Sequence, residues 1–313
     1  MQTRVLGHSG LKVSVVGLGC NNFGGRLDQA ATTAVVRQAL DRGITLFDTA
    51  DIYGNRGGSE TMLGKALGAE RQQIVLASKF GIPMDDSGKM QGARPAYVRQ
   101  ALEASLQRLG TDYLDLYQLH RPDPETPVED TLGALDELVK EGLVRAVGVS
   151  NMDAAGVRAA DETARRLALS RVTSCQDEYS LLVRDIESEL LPTMRELNIG
   201  LLPYFPLASG LLSGKYHAGQ PLPEGGRISG SEGAQNRYLT ERNWTVVEQL
   251  RQFTQDRGHS LLELAFSWLL AQDVTSSVIA GATRPEQIDQ NVEAAGWVLT
   301  SDELAEVNRI TSA

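Results

Sequence analysis

Four side chains of this sequence combine into one chemistry: Asp48 and Tyr53 in LFDTADIYG, Lys79 in IVLASKFG, and His120 in YLDLYQLHRPD. Each needs the others. A free phenol has a pKa of ~10 and is a poor acid at neutral pH. An ammonium about 4 Å away, at an effective dielectric of ~20, is worth ~4 kcal/mol to the phenolate. At ~1.4 kcal/mol per unit, that lowers the phenol by up to ~3 units. A carboxylate holds the ammonium charged and aimed, and an imidazole hydrogen-bonds the oxygen that receives the proton. Such a set protonates a carbonyl oxygen as hydride arrives at carbon, and takes the proton back in reverse. Taken singly, the four have ordinary readings: a structural carboxylate, a packing tyrosine, a lysine that snorkels to water, a satisfied histidine.

The elements that must position them form a repeating pattern. Eight apolar runs, residues 13–19, 45–49, 74–79, 113–119, 144–150, 172–176, 200–204 and 277–280, are candidate strands. Their consecutive Val, Ile and Leu suit strands buried on both faces. Between them lie helical stretches with terminal signals. Asp28 is placed to cap one that ends before Gly43, and Pro95 opens one that stops at Gly110. Thr126, Pro127 and Glu129 read as a capping box for a helix closed by Gly142. Further helices are predicted from 151–153 onward and over 187–197, 241–257 and 260–270, with a last one from Thr300 and Ser301.

Eight β-α units in 313 residues predict one α/β domain, a closed (β/α)₈ TIM barrel spanning the chain. The rival is a doubly wound open sheet, but no GxGxxG lies between the first strand and the first helix. Irregular segments at 81–94 and 206–239 follow the third and seventh strands. Barrels keep their sites at strand C-termini, so these read as lid or binding loops. On this plan Asp48, Lys79 and His120 end strands two, three and four, and Tyr53 sits on the loop leaving strand two. Neighbouring strands are ~4.8 Å apart, close enough for these side chains to meet.

Composition narrows the partners. A net charge of −10 argues against nucleic acid, and an anionic ligand would need a local basic site. Cys20 and Cys175 give neither a disulfide framework nor metal-ligand spacing, so no metal is expected and a reduced, cytoplasmic compartment is. The N-terminus is too polar and glycine-rich for a signal peptide, and no run approaches the ~18 apolar residues of a membrane span.

The order Asp48, Tyr53, Lys79, His120 in FDTADIYG, SKF and LH resembles the catalytic tetrad of the aldo-keto reductase superfamily, and the likeness covers nearly the whole chain. It implies a barrel that binds NADP(H) without a Rossmann domain and reduces aldehydes or ketones. Tyr53 would be the general acid/base, tuned by Lys79 and Asp48, with His120 orienting the substrate. Ser150 and Asn151 in GVSN and Gln176 in CQDEYS resemble the contacts to the nicotinamide carboxamide. Tyr204 resembles the aromatic that stacks on the nicotinamide. Phe205, Pro206, Leu207, Gly210 and Lys215 resemble the loop over the pyrophosphate. In AGATRPEQIDQN, the resemblance assigns Gly281, Thr283, Arg284, Gln287, Gln290 and Asn291 to the adenosine end of the cofactor and its 2′-phosphate, with Gln290 standing where many members carry a glutamate. Thr283 and Glu286 there also read as a capping box.

The resemblance places Gly19, Cys20 and Asn21 at a cofactor- or substrate-facing turn where many members carry a Trp, and assigns them to the cofactor. The substrate pocket is then expected to use Phe23, Phe80 and Arg121 beside Tyr53 and His120. Arg121 either meets a substrate anion or pairs with Asp123. Two other functions stay open on the sequence. One is a cofactor-binding sensor or partner subunit, as in the similar potassium-channel β subunits. The other is a lyase with a Schiff base on Lys79, which the neighbouring Asp48 disfavours. Oligomeric state is not legible.

Overall fold

The computed structural model describes residues 1–312. Among these, β1 (Thr3–Val5) and β2 (Lys12–Ser14) form an antiparallel hairpin. Eight parallel strands follow: β3 (Val16–Gly19), β4 (Leu46–Asp48), β5 (Val75–Phe80), β6 (Leu114–Leu119), β7 (Val144–Ser150), β8 (Val172–Gln176), β9 (Gly200–Leu201) and β10 (Val278–Gly281). Their order is β10-β3-β4-β5-β6-β7-β8-β9. A parallel bridge from Leu201 to Thr275 joins the two ends. There Leu201 N donates to Val274 O at 2.7 Å and Ser276 N to Leu201 O at 2.9 Å. The expected (β/α)₈ barrel is the fold.

The helices are α1 (Gln29–Asp41), α2 (Tyr53–Leu67), α3 (Pro95–Leu109), α4 (Val128–Lys140), α5 (Ala154–Leu167), α6 (Leu190–Leu197), α7 (Glu232–Tyr238), α8 (Glu241–Gln255), α9 (Leu261–Leu270), α10 (Pro285–Ala294) and α11 (Ser301–Thr311). Several start where the sequence predicts. Asp28 accepts from Ala31 N at 2.9 Å, and Thr300 and Glu303 close a capping box on α11.

The apolar residues divide between two layers. Leu46, Val75, Ala77, Leu116, Ala146, Leu202 and Ile279 fill the barrel, joined by Leu6 and Val13 of the hairpin. The larger layer packs the outward strand faces against the helices. Both strand faces are therefore buried, which is why the strands read as continuous apolar runs. The hairpin plugs the end opposite the site. At Gly7, with φ +51, a Cβ would stand 2.2 Å from Thr173 O.

Some local expectations fail. The run 13–19 splits at Val15 between the hairpin and the barrel. The strand predicted over 200–204 is only Gly200–Leu201, because Pro203 lacks the N–H a ladder needs. Thr126 does not cap α4. Pro127 stands at the cap position without a side-chain bond, and the Thr126 hydroxyl turns to Asp123 at 2.7 Å. The stretch 187–197 breaks into a 3₁₀ turn, Asp185–Glu187, and the shorter α6. The segment 206–239 holds a 3₁₀ turn, Ala208–Ser213, and α7. Tyr53 opens the span of α2, but Gly54–Gly57 depart from right-handed helix, so the tyrosine stands on an irregular turn between β4 and the regular part of that helix.

Candidate active site

The C-terminal rim of the barrel gathers the four residues. Asp48 ends β4, Lys79 is next to last in β5, and His120 directly follows β6. Lys79 Nζ donates to Asp48 Oδ2 at 2.7 Å and to Thr49 O at 2.9 Å, and the lysine is completely buried. Asp48 Oδ1 accepts from Gln176 Nε2 at 3.0 Å and from Gln118 Nε2 at 3.3 Å. The ammonium stands 5.0 Å from the centre of the Tyr53 ring. The His120 ring meets Tyr53 edge to face, with centroids 5.6 Å apart.

The charges do not sit as the sequence suggests. Burial pushes the Tyr53 phenol above its usual value, and Asp48 adds to this; the charge of Lys79 opposes the rise without reversing it. Burial pushes Lys79 down, but the paired Asp48 more than offsets this and holds it above the usual lysine value. The downward shift expected of the phenol is thus absent, and a protonated phenol sits beside a charged ammonium. His120 is pushed down to about 3 by burial, helped by Lys79 and Arg121, so its imidazole is neutral at pH 7. Its Nδ1 is buried with no protein partner among the described residues.

The chain around Tyr53 is unusual. Gly54, Asn55 and Arg56 have φ of 66°, 61° and 65°, one left-handed turn directly after the tyrosine. Such a run is costly for L-residues. Closeness also reserves its first position for glycine: a Cβ on Gly54 would stand 2.3 Å from Phe23 O. A second strained stretch has φ of 49° at Phe205, 45° at Ala208 and 57° at Ser209; Phe205 and Ser209 line the same cavity, and Ala208 is buried behind them.

That cavity has a volume of about 730 Å³ and opens above the rim. Of the residues picked from sequence, Gly19, Cys20, Asn21, Asp48, Tyr53, His120, Arg121, Ser150, Asn151, Gln176, Tyr204, Phe205, Pro206, Leu207, Gly210, Lys215, Gly281, Thr283, Arg284 and Gln287 line it. A chain of hydrogen bonds orders one wall. Tyr204 OH donates to Asn151 Oδ1 at 2.7 Å, Asn151 Nδ2 to Ser150 Oγ at 3.0 Å, and Ser150 Oγ to Gln176 O at 2.8 Å.

Five predicted positions stand elsewhere. Lys79 lies beneath the wall, held by Asp48. Phe23 and Phe80 are fully buried in the outer layer, and Phe80 packs on Tyr117 with centroids 4.7 Å apart. Asn291 is buried within α10, while Gln290 is exposed; neither lines the cavity. The capping box of Thr283 and Glu286 does not form, because Pro285 makes Arg284 the cap residue. Instead Gln287 Oε1 accepts from Thr283 N at 2.7 Å.

Residues 15–312 match the Aldo/keto reductase family. The chain belongs to that family. It is 36% identical to a probable aldo-keto reductase 1 of Glycine max, over 96% of this chain and 86% of the relative. Aldo/keto reductase membership makes the protein an oxidoreductase by family.

A nicotinamide cofactor is typical of aldo/keto reductases, and the cavity's charges fit such a ligand. Arg26, Arg121, Lys215, Arg227, Arg237 and Arg284 all line it, in a chain whose net charge is −10. Among the described residues no carboxylate pairs with Arg26, Lys215, Arg227 or Arg284. Lys215 is pushed below its usual value by burial and by its like-charged neighbours Arg26 and Arg284. Crowded cations that lack ion-pair partners suit a ligand that brings phosphates. The N-terminus of α10, which has no side-chain cap, adds its own positive end.

The sequence reading missed several wall residues. Arg227 donates to Asn21 Oδ1 at 3.3 Å and Asn22 Oδ1 at 3.4 Å, and Arg26 to Gly225 O at 3.0 Å. These bonds strap residues 224–227 across the cavity. Gln118 was missed as well, although it precedes His120 by two positions and so shares its strand face. Among the described residues no cluster of metal-ligating side chains occurs, and no helix is long and apolar enough to cross a membrane.

Proposed function

We propose that this chain is an NADP(H)-dependent reductase of aldehydes or ketones, reversible in principle, with Tyr53 as general acid/base. The observation that carries this is the buried constellation of a protonated Tyr53, a charged Lys79 and a neutral His120 under a cation-lined cavity.

When bound, the cofactor would supply the hydride to the carbonyl carbon. The rest falls to the chain's own side chains. Tyr53 gives its proton to the carbonyl oxygen. Lys79, aimed by Asp48 and Thr49 O, stabilises the phenolate that remains. The neutral His120 hydrogen-bonds the same oxygen and does not compete as an acid. Ser150, Asn151 and Gln176 would hold the carboxamide end, with Tyr204 against the ring. Lys215, Arg26 and Arg284 would meet the phosphates, and Arg284 favours the 2′-phosphate of NADPH over NADH.

The test is twofold. Fluorescence titration is expected to show NADPH binding more tightly than NADH. Loss of NADPH absorbance is expected with at least one class among aromatic, aliphatic and sugar carbonyls. Failure to bind either cofactor contradicts the reading. Tight NADPH binding with silence across all classes favours a sensor or partner role instead.

A further inference from the structure

Arg121 is a cation of the cavity that neither the proton machinery nor the phosphate cluster uses. It follows His120, lines the cavity and is exposed. Its guanidinium makes no ion pair and no hydrogen bond among the described residues. Asp123, the partner the sequence offers, is otherwise engaged: it accepts from Ala93 N at 2.8 Å, Glu125 N at 3.0 Å and Thr126 Oγ1 at 2.7 Å. The charge of Arg121 is felt at His120 and at Tyr204. The charges felt at Lys215 are those of Arg26 and Arg284 instead. Arg121 thus stands beside the proton donors rather than within the Lys215 cluster, while Arg227, which feels both Arg26 and Tyr53, is held by Asn21 and Asn22. The other arginine felt at Tyr204, Arg237, is neutralised by Glu178. A guanidinium presents a planar fork that matches carboxylate and phosphate oxygens, and an unpaired one at a cavity wall is a ready partner for either.

We propose that Arg121 selects carbonyl substrates that carry an anion, a carboxylate or a phosphate monoester. The inference rests on the reductase reading above.

The test compares matched substrates that differ in charge: para-carboxybenzaldehyde against para-formylbenzamide, and glyceraldehyde phosphate against glyceraldehyde. The wild type is expected to favour the charged member of at least one pair by about tenfold or more in kcat/KM. Which pair shows it separates carboxylate from phosphate. Arg121→Met is expected to collapse that ratio, mainly through KM of the charged member, and Arg121→Lys to retain part of it. A ratio near unity in both pairs for the wild type, or one unchanged in Arg121→Met, overturns the proposal. If no carbonyl is turned over, the reductase reading fails by itself. Arg121 is then judged by calorimetric titration with the same two benzaldehydes. Tighter binding of the carboxylate, lost in Arg121→Met, supports the anion site, and equal binding overturns it.

Discussion

Lys79 donates to Asp48 at 2.7 Å with the lysine wholly buried and the aspartate nearly so. Taking two charges from water costs free energy that only close pairing and further hydrogen bonds offset. Thr49 O, Gln118 and Gln176 supply those bonds. On the proposed reductase reading, the pair serves Tyr53 by its charge more than it serves stability.

Lys79→Met leaves Asp48 buried and unpaired. Denaturant unfolding should show a loss of about 3–5 kcal/mol. Turnover should fall by ~10²–10⁴-fold, the range expected for losing acid–base assistance. Adding Asp48→Asn should restore most of the stability and none of the activity. Recovery of activity in the double variant would contradict the role of the charge.

Beneath the site, Asp51 is buried with neither oxygen bonded to protein among the described residues. Burial and the nearby Glu60 push it up to about 8. Its folded value exceeds its unfolded one, so its contribution is fully present below about pH 4 and lost as pH rises towards 8. Asp51→Asn mimics the neutral acid at every pH. Its stability advantage over wild type should grow from pH 4 to 8, reaching on the order of a few kcal/mol. A pH-independent difference would contradict the shift.

How much was legible follows from which physics each residue answers to. Asp48, Lys79 and His120 were readable because strand-end position follows from apolar runs and the chemistry from residue type. Helix α2 was not, because Gly54, Gly57, Gly58 and Gly64 hide its periodicity, and the left-handed turn packs against the Phe23 carbonyl, a contact outside the local sequence. Phe23 and Phe80 looked like pocket walls because an aromatic near a site reads the same facing in or out. The strap of Arg26 and Arg227 depends on contacts across about two hundred positions, which no local pattern encodes. Even the direction of the Tyr53 shift needed the fold, since burial outweighs the neighbouring charge there.

Gly54→Ala tests the turn. The added Cβ would meet Phe23 O at 2.3 Å and Ser59 N at 2.5 Å, at a φ of 66°. A loss of roughly 1–3 kcal/mol is expected by denaturant unfolding, together with a fall in kcat as Tyr53 shifts. Unchanged stability and rate would show that the turn relaxes freely.

Arg284→Met tests the phosphate end. The dissociation constant for NADPH should rise about tenfold or more, while that for NADH changes little. Raising the salt concentration should weaken NADPH binding more in the wild type than in the variant. Equal losses for both cofactors would remove the 2′-phosphate assignment.

The central claim is that Tyr53 supplies the proton while the rest of the site holds the reactants. The most direct measurement is single-turnover NADPH consumption by wild type and Tyr53→Phe, each saturated with cofactor, using a carbonyl the wild type reduces. The account predicts near-equal NADPH affinity and a rate in Tyr53→Phe lower by ~10²-fold or more. Full activity in the Tyr53→Phe protein would contradict it.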